Sequence, residues 1–213
     1  YNAPLKEKIK FIKYKKNYAK NYYPYLGLSN EMNYSPALDM LVIGSDEVFN
    51  CVQNNTNVGF TPELFGQNNR AKRVITYAAS FGNTTFEKLK KHQVDEKVAK
   101  WIDEIDAISV RDENSLVTVR SLIGVEPQYH LDPVLVYDFM GKCTDIPETV
   151  PDSKYMILYG YSGRFTNEEC KTIRAYANKK GLKIFCIGGV QDACDKFIDC
   201  NPFQVIAYFK SAD

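Results

Sequence analysis

The segment of residues 39–50 constrains the fold of this chain more than any other stretch. Its apolar run, Met40 to Ile43, stops at Gly44, and a small polar residue and a carboxylate follow, Ser45 and Asp46. A buried parallel strand has this pattern when it opens into a loop at its carboxyl end. Ligands of open α/β sheets bind in the crevice outside such strand ends. The segment therefore predicts a parallel sheet and marks one edge of it as a candidate site.

Strand and helix patterns alternate along the rest of the chain. Further strands are predicted at 74–79, 106–110, 127–131, 155–159 and 182–187. Helices are predicted at 4–21, 85–103, 113–123, 166–180 and 202–210, with capping boxes at Thr84 and Glu87 and at Thr166 and Glu169. This alternation is typical of a parallel sheet with helices on its faces. The predicted fold class is therefore α/β, with a parallel Rossmann-like sheet flanked by helices.

A stretch that contains two prolines interrupts the alternation and reads as a linker. Beyond it the pattern restarts with only two predicted strands, which are too few to close a core. We therefore expect one Rossmann-like domain and an incomplete second one. The predicted divisions are a basic helix with its connector at 1–36, the first Rossmann-like domain at 37–140, the linker at 141–153 and the partial second domain at 154–213.

Charge is unevenly distributed between the first helix and the remainder of the chain. The formal net charge is +1, so no overall field indicates a nucleic-acid partner, and none is expected. Residues 1–20 nevertheless carry seven lysines against one acid, Glu7. Leu5, Ile9 and either Phe11 or Ile12 fall at helical spacing between those lysines. The pattern favours a packed helix with a solvated lysine face, and it leaves open a helix that contacts an anionic membrane surface.

Cysteine and histidine usage predicts no metal site and no disulfide framework. The chain has six cysteines without a C-x-x-C pair, and two histidines, His92 and His130. Reduced thiols fit best, which favours the cytoplasm. No run of about 20 apolar residues indicates a membrane span. The expected location is thus cytoplasmic, with peripheral contact at the inner membrane surface left open.

Polar side chains recur at the predicted strand ends, and together they suit a polar, anionic small molecule. Arg111 follows one strand directly and precedes a helix, which is a plausible position for binding an anion. A surface ion pair with Asp112 or Glu113 is the plainer alternative. No G-x-G-x-x-G or Walker sequence is present. The expected crevice residues are Ser45, Asp46, Ser80, Arg111, Asp132 and Arg164.

Four segments resemble, in order, the motifs of the polysaccharide pyruvyl transferase family. That family usually has G-S-D-Q-x-W-N, then Y-A-A-S-F-G, then I-S-V-R-E, then L-D-P-T-L. Three positions depart from the pattern, since Glu47, Phe49 and Asp112 stand where Gln, Trp and Glu are usual. Four motifs in order make the resemblance fairly specific. The matching segments are residues 42–50, 77–82, 108–112 and 131–135.

The resemblance implies a GT-B-like protein that transfers a pyruvyl group from phosphoenolpyruvate to two hydroxyls of a sugar, forming a ketal. The acceptor would be a surface or capsular polysaccharide precursor, and a lipid-linked form is left open. Because the donor carries a phosphate and a carboxylate, Arg111 and Arg164 are the candidates to bind it. Asp46 is the candidate catalytic residue, acting on the sugar hydroxyl. Ser45 and Ser80 are candidate substrate-binding residues, and no cofactor is implied.

Two family features are expected to lie outside these residues. The histidine of an S-F-H-G motif would follow residue 213, and a glycine- and asparagine-rich strand–loop would precede residue 1. We therefore expect the 213 residues alone to be inactive. Two alternatives to pyruvyl transfer stay open: a GT-B-like glycosyltransferase that uses a sugar nucleotide, and a non-catalytic glycan-binding relative.

Overall fold

The computed structural model describes residues 2–28, 37–53, 60–142, 146–147 and 153–213. It is a mixed α/β structure with small parallel sheets and helices. Part of the predicted connector, residues 29–36, and most of the predicted linker lie outside the described residues. The chain divides into two compact units. Met32–Asp138 form the central unit, and Tyr1–Glu31 with Phe139–Asp213 form the terminal unit.

The described helices are α1 (Leu5–Tyr22), α2 (Phe86–Lys91), α3 (Asp95–Asp103), α4 (Glu113–Ile123), α5 (Pro133–Val136), α6 (Phe139–Lys142), α7 (Asn167–Lys180) and α8 (Pro202–Lys210). The described strands are β1 (Leu41–Ile43), β2 (Val74–Thr76), β3 (Ser109–Val110), β4 (Gln128–Tyr129), β5 (Tyr155–Tyr159), β6 (Lys183–Ile187) and β7 (Lys196–Phe197). Short 3-10 helices cover Tyr23–Leu26 and Pro62–Phe65.

The strands of the central unit run parallel, as the sequence predicts. β1 pairs with β2, where Val42 lies opposite Ile75, and β3 pairs with β4. Isolated parallel bridges join Ile75 to Ala107 and Ala79 to Val110, so β2 lies beside β3. The four carboxyl ends therefore lie at one edge of the unit, which is the edge that the sequence marks as the candidate site.

Helix boundaries in the central unit correct two predictions. Thr85, rather than Thr84, caps α2 by accepting a hydrogen bond from the Lys88 amide at 3.3 Å. The capping box predicted at Thr84 was therefore wrong, because the buried Thr84 hydroxyl donates instead to the Asn50 side chain at 2.8 Å. The single helix predicted over 85–103 is two helices, since the chain turns at Gln93 with a φ of 56°. A left-handed residue of this kind interrupts a helix.

Aromatic side chains form the core of the central unit. The rings of Phe49 and Phe65 stack with centroids 5.0 Å apart, and both are fully buried. Trp101, the only tryptophan, is 8% exposed and packs against Phe65 at 5.3 Å. Asp112 caps α4, since its carboxylate accepts from the Ser115 amide at 2.8 Å. The ring contacts thus join α3 to the 3-10 helix at Pro62–Phe65, and the cap fixes the start of α4.

The terminal unit holds a second parallel sheet in the order β5-β6-β7. The sequence predicts β5 and β6 but not β7, because Lys196 and Phe197 are too short a stretch to show a period. The capping box predicted at Thr166 and Glu169 is confirmed. The buried residues of this unit include Leu158, Cys170, Ala177, Ile184, Cys186 and Phe197.

Helix α1 packs against the edge strand β7 of the terminal unit. The buried carboxylate of Glu7 accepts from the Phe197 amide at 2.8 Å, and Lys10 donates to the Phe197 carbonyl at 2.7 Å. Phe11 and Tyr14 each make edge contacts with the Phe197 ring at 5.2 Å. The helix thus satisfies both backbone groups of a residue that would otherwise leave a sheet edge open.

Candidate functional site

The guanidinium of Arg111 joins the carboxyl ends of three strands in the central unit. One of its nitrogens donates to the Ser45 carbonyl, which follows β1, and to the Asp132 carboxylate, which follows β4. Its other terminal nitrogen lies 3.4 Å from Asp46 Oδ1. The alternative ion pairs of Arg111 with Asp112 or Glu113 are not the ones that form. We call Ser45, Asp46, Ser80, Arg111 and Asp132 the Arg111 cluster.

Backbone contacts hold the loop after β1 in place. The Ser80 amide donates to the Asp46 carbonyl at 3.1 Å, and the Phe49 amide donates to the Ser80 carbonyl at 3.0 Å. Gly44 has a φ of 134°, and a Cβ there would lie 2.2 Å from the Tyr77 carbonyl oxygen. Only glycine fits this position, because any side chain would collide with backbone. The glycine of the first motif therefore serves the close approach of two strand ends.

A chain of hydrogen-bonded polar side chains, from the exposed Glu47 to the buried Asn50 and Thr84, also supports this loop. The Asn50 amide group donates to Glu47 at 2.8 Å, and the Thr84 hydroxyl donates to Asn50. A Cβ on Gly82 would lie 2.5 Å from a Glu47 oxygen, so this glycine makes room for the carboxylate. Glu47 departs from the family's usual glutamine, and here it acts as a hydrogen-bond acceptor that fixes the loop.

The three charged side chains of the Arg111 cluster differ in how far they are exposed to solvent. The side chains of Arg111 and Asp132 are 25% and 26% exposed, whereas Asp46 is 91% exposed. The cluster holds one cation and two carboxylates, so its formal charge is −1. Asp132 and the Ser45 carbonyl take up one guanidinium nitrogen, while the Asp46 contact is long and open to water. The arrangement presents Asp46 as the accessible carboxylate, and its Oδ1 accepts from the Glu47 amide at 2.8 Å in addition to the longer contact with Arg111.

Ser80 occupies a buried position in the Arg111 cluster. It is 3% exposed, and its hydroxyl oxygen accepts from the Gly82 amide at 2.8 Å. The structure therefore gives Ser80 a contact within the turn, and its role in binding substrate stays a prediction. Ser45 is half-buried, and it reaches Arg111 through its carbonyl rather than its side chain.

His130 lies at the end of β4, just before Asp132. Its Nδ1 is 2.9 Å from the Ser109 hydroxyl, and its ring stacks on Tyr77 with centroids 5.4 Å apart. These contacts favour the structural role that is the more frequent one for a lone strand histidine. Asp132 also caps α5 by accepting from the Val134 amide at 3.0 Å, and so fixes the turn before Pro133.

Arg164 belongs to the terminal unit and is exposed there. It follows β5 in a turn in which its amide donates to the Tyr161 carbonyl at 3.2 Å. The side chain of Arg164 lies over Gly160, where a Cβ would be 3.5 Å from it. Arg164 is thus a strand-end cation, as the sequence predicts, and it belongs to a different unit from the Arg111 cluster.

A tyrosine-lined cavity of about 540 Å³ opens at the same strand ends of the terminal unit. Tyr22 donates to the Asp199 carboxylate. Burial raises the pKa of Tyr14 and of Tyr22, and the bond to Asp199 adds to the effect at Tyr22. Sequence patterns miss this cavity because its lining comes from distant elements. The lining residues are Tyr14, Tyr18, Tyr22, Leu26, Tyr159, Tyr161, Ile187, Gly188, Cys200, Pro202 and Val205.

Among the described residues, no group of three or more His, Cys, Asp or Glu side chains is placed to hold a metal ion. The described cysteines are free thiols. No helix in the described ranges has both the length and the apolar character needed to cross a membrane.

Parallel strands whose carboxyl ends bring together an arginine and two carboxylates define an α/β protein with a charged cluster at the edge where ligands of such sheets commonly bind. The family comparison makes this class specific. A family model described as polysaccharide pyruvyl transferase matches residues 1–208 of the 213, so the chain belongs to that family. Searches of curated proteins and of solved structures found no match. Membership supports a transferase of the polysaccharide pyruvyl transfer type.

Proposed function

We propose that this protein transfers the pyruvyl group of phosphoenolpyruvate to a saccharide acceptor and forms a cyclic ketal. One observation carries the proposal. The four segments that resemble the family's motifs supply Ser45 and Asp46, Ser80, Arg111 and Asp132, and these residues form one hydrogen-bonded cluster. These motifs are far apart in sequence, yet their charged and polar residues contact one another in the structure. Such a convergence supports a shared functional role.

The proposed reaction has defined chemical demands. The terminal CH₂ carbon of the enol must gain a proton, which leaves an oxocarbenium-like centre at the neighbouring carbon. One sugar hydroxyl bonds to that centre, the phosphate departs, and a second hydroxyl closes the ketal. Of the two hydroxyl protons, one balances the proton placed on carbon and the other leaves with the phosphate. The site must therefore hold an anion, activate hydroxyls and exchange protons.

The Arg111 cluster supplies part of this chemistry. Asp46 is the exposed carboxylate, so it accepts a hydrogen bond from a sugar hydroxyl and assists its attack. When phosphoenolpyruvate binds, Arg111 retains its hydrogen bonds to Asp132 and to the Ser45 carbonyl. Its second terminal nitrogen then leaves the 3.4 Å contact with Asp46 and binds an oxygen of phosphoenolpyruvate. Arg164, as an exposed cation, is the second candidate for the donor anion. Ser45 and Ser80 complete the substrate-binding set.

The proposal includes a GT-B-like architecture with two Rossmann-like halves, a cytoplasmic location and a lipid-linked form of the acceptor. It also includes the expectation that residues 1–213 assayed alone do not turn over. For that reason binding of the donor, rather than product formation, is the primary measurement.

Thermal unfolding with and without phosphoenolpyruvate tests the proposal. Donor at about 100 times its dissociation constant should raise the melting temperature by roughly 5 °C or more. Arg111→Ala should abolish the shift, and Arg111→Lys should reduce it, because a lysine lacks the fork of donors. Arg120→Ala is the matched control, since Arg120 lies in the same unit and pairs only at the surface with Glu126 at 3.4 Å.

The same measurement discriminates the alternatives. A shift with uridine or guanosine diphosphate sugars and none with phosphoenolpyruvate would refute pyruvyl transfer in favour of a glycosyltransferase. A shift with glycan alone would favour the non-catalytic relative. A phosphoenolpyruvate shift that survives Arg111→Ala would place the donor outside the Arg111 cluster and so contradict the roles assigned above.

A further inference from the structure

Helix α1 presents the opposite face from the one that its apolar spacing predicts. The face that packs on β7 carries Glu7, Phe11 and Tyr14. The apolar residues at the predicted spacing point outward instead. Leu5 is 72% exposed, Ile9 is 45% exposed and Ile12 is 64% exposed. Of the predicted apolar positions, only Phe11, the alternative to Ile12, packs inward, whereas Leu5, Ile9 and Ile12 do not.

Polar bonds fix this orientation of the helix. Glu7 and Lys10 bind the amide and the carbonyl of the same residue, Phe197. Turning α1 to bury Ile9 and Ile12 would break both bonds and leave backbone groups of β7 without partners. A buried backbone group without a partner costs about 1–3 kcal/mol. The outward position of the apolar side chains is thus a consequence of how the helix is attached.

Lysines surround the exposed apolar stripe. Lys16 continues the line of Leu5, Ile9 and Ile12 by helical spacing. Lys13 and Lys20 are exposed and Lys8 is half-buried beside it. The only acid of the helix, Glu7, is buried on the inner face. We call Leu5, Ile9, Ile12 and Lys16, with the flanking Lys8, Lys13 and Lys20, the outer face of α1.

We propose that the outer face of α1 docks on the surface of an anionic lipid bilayer. A helix that lies in a membrane interface buries a narrow apolar stripe among the acyl chains and sets its lysines against the lipid phosphates. The outer face has both parts, and its charge is complementary to an acidic surface. A soluble polyanion would use the lysines but not the apolar stripe. The proposal goes beyond the proposed function and does not depend on it.

Co-sedimentation with lipid vesicles tests the proposal in the absence of donor and acceptor. The 213-residue chain should bind phosphatidylcholine vesicles that contain phosphatidylglycerol, and should not bind vesicles of phosphatidylcholine alone. Added salt should weaken binding, because it screens the lysines from the lipid charge. Failure to bind the phosphatidylglycerol vesicles would refute docking whatever the outcome with phosphoenolpyruvate.

Two variants separate the apolar contribution from the charge contribution. Each lysine near an acidic surface contributes about fivefold in affinity, so neutralising four should weaken binding by about a hundredfold or more. Replacing the three apolar residues should weaken binding by about tenfold or more, since a shallowly inserted side chain recovers only part of its burial energy. The variants change Lys8, Lys13, Lys16 and Lys20 to Gln, and Leu5, Ile9 and Ile12 to Ser.

Matched controls keep both results decisive. The charge control replaces four exposed lysines elsewhere in the terminal unit, so that the same amount of positive charge is removed. This control variant should bind vesicles as the parent chain does. Equal loss in this control would show attraction by overall charge alone and would refute docking through α1. Equal binding of dextran sulfate by the parent and the apolar variant, with no vesicle binding, would assign the face to a soluble polyanion. The control lysines are Lys154, Lys179, Lys180 and Lys210, each changed to Gln.

Circular dichroism of each variant confirms that its helix content is unchanged, which is expected because the substituted side chains lie on the outer face of α1 or, in the control, are exposed elsewhere. A variant that loses helix signal is replaced by its single substitutions, beginning with Ile12→Ser. Loss of vesicle binding in a single substitution with full helix signal supports docking, and unchanged binding in all of the singles overturns it.

Discussion

Replacing Asp132 with alanine should destabilise the central unit, because this carboxylate is the less exposed of the two that pair with Arg111. Asp132 accepts from the guanidinium, and it also caps α5 through the Val134 amide at 3.0 Å. Its removal leaves Arg111 with the Ser45 carbonyl and the exposed Asp46. The perturbation therefore removes two interactions at once.

The expected magnitude follows from the exposure of the two groups. A hydrogen bond between charged groups contributes about 1.5–3 kcal/mol when it is shielded from water. Arg111 and Asp132 are 25% and 26% exposed, so screening brings this contribution toward the lower end. Loss of a helix cap typically adds about 1 kcal/mol. The free energy of unfolding should thus fall by about 2–3 kcal/mol in total.

Urea denaturation followed by tryptophan fluorescence measures this change. Trp101 is the only tryptophan and packs in the core of the central unit, so its emission reports on the unit that holds Asp132. Asp39→Ala is the matched control, because Asp39 pairs with Lys72 at 2.7 Å on a surface where both side chains are largely exposed. Asp39→Ala should leave the midpoint unchanged. If both variants have the same midpoint, the energetic role assigned to the Arg111–Asp132 pair is refuted.

Two further predictions concern buried groups outside the Arg111 cluster. Glu7→Ala should lower the free energy of unfolding by about 1–3 kcal/mol, because it leaves the Phe197 amide buried without its acceptor. Circular dichroism during urea denaturation measures this change. Glu7→Gln keeps an acceptor oxygen and should lower the free energy of unfolding by less. Equal losses would contradict the role of the acceptor. Burial raises the pKa of Cys51 from 9.0 to about 11. The folded state therefore holds the thiol proton more tightly, so the stability due to the neutral thiol is complete below pH 9 and declines as the pH rises toward 11. Cys51→Ala should flatten the decline in stability over this range, and an unchanged slope would rule out Cys51 as its source.

The parallel sheet of the central unit could be predicted because its strand ends carry strong local signals. An apolar run that stops at Gly44 and continues with Ser45 and Asp46 indicates a strand end without any tertiary information. The rule that parallel strands end at one edge then brings Asp46, Ser80 and Arg111 together. The rule does not give the burial or the hydrogen-bond partners of each residue. Ser80 is buried within the turn, and Arg111 divides its nitrogens among three acceptors.

The tyrosine-lined cavity had no sequence signal that could have found it. Its lining combines α1 with strand ends and α8, which lie more than a hundred residues apart along the chain. The tyrosines between Tyr14 and Tyr25 are visible in the sequence as a cluster, but spacing alone does not indicate which of them enclose a space. Contacts over such separations depend on the pairing of β7 with β6, and β7 is too short to be recognised from its residues.

The sequence by itself determined the class of this protein, an α/β chain with polysaccharide pyruvyl transferase motifs, because parallel strand ends and family motifs are local patterns. Only the tertiary structure decided which face of α1 is buried. Helical spacing marks an apolar stripe at Leu5, Ile9 and Ile12, but it does not show which backbone groups need hydrogen-bond partners from the helix. Glu7 and Lys10 satisfy both backbone groups of Phe197 on the opposite face. The physical reason is that a buried backbone group needs a partner, whereas a few apolar side chains can stay exposed at modest cost.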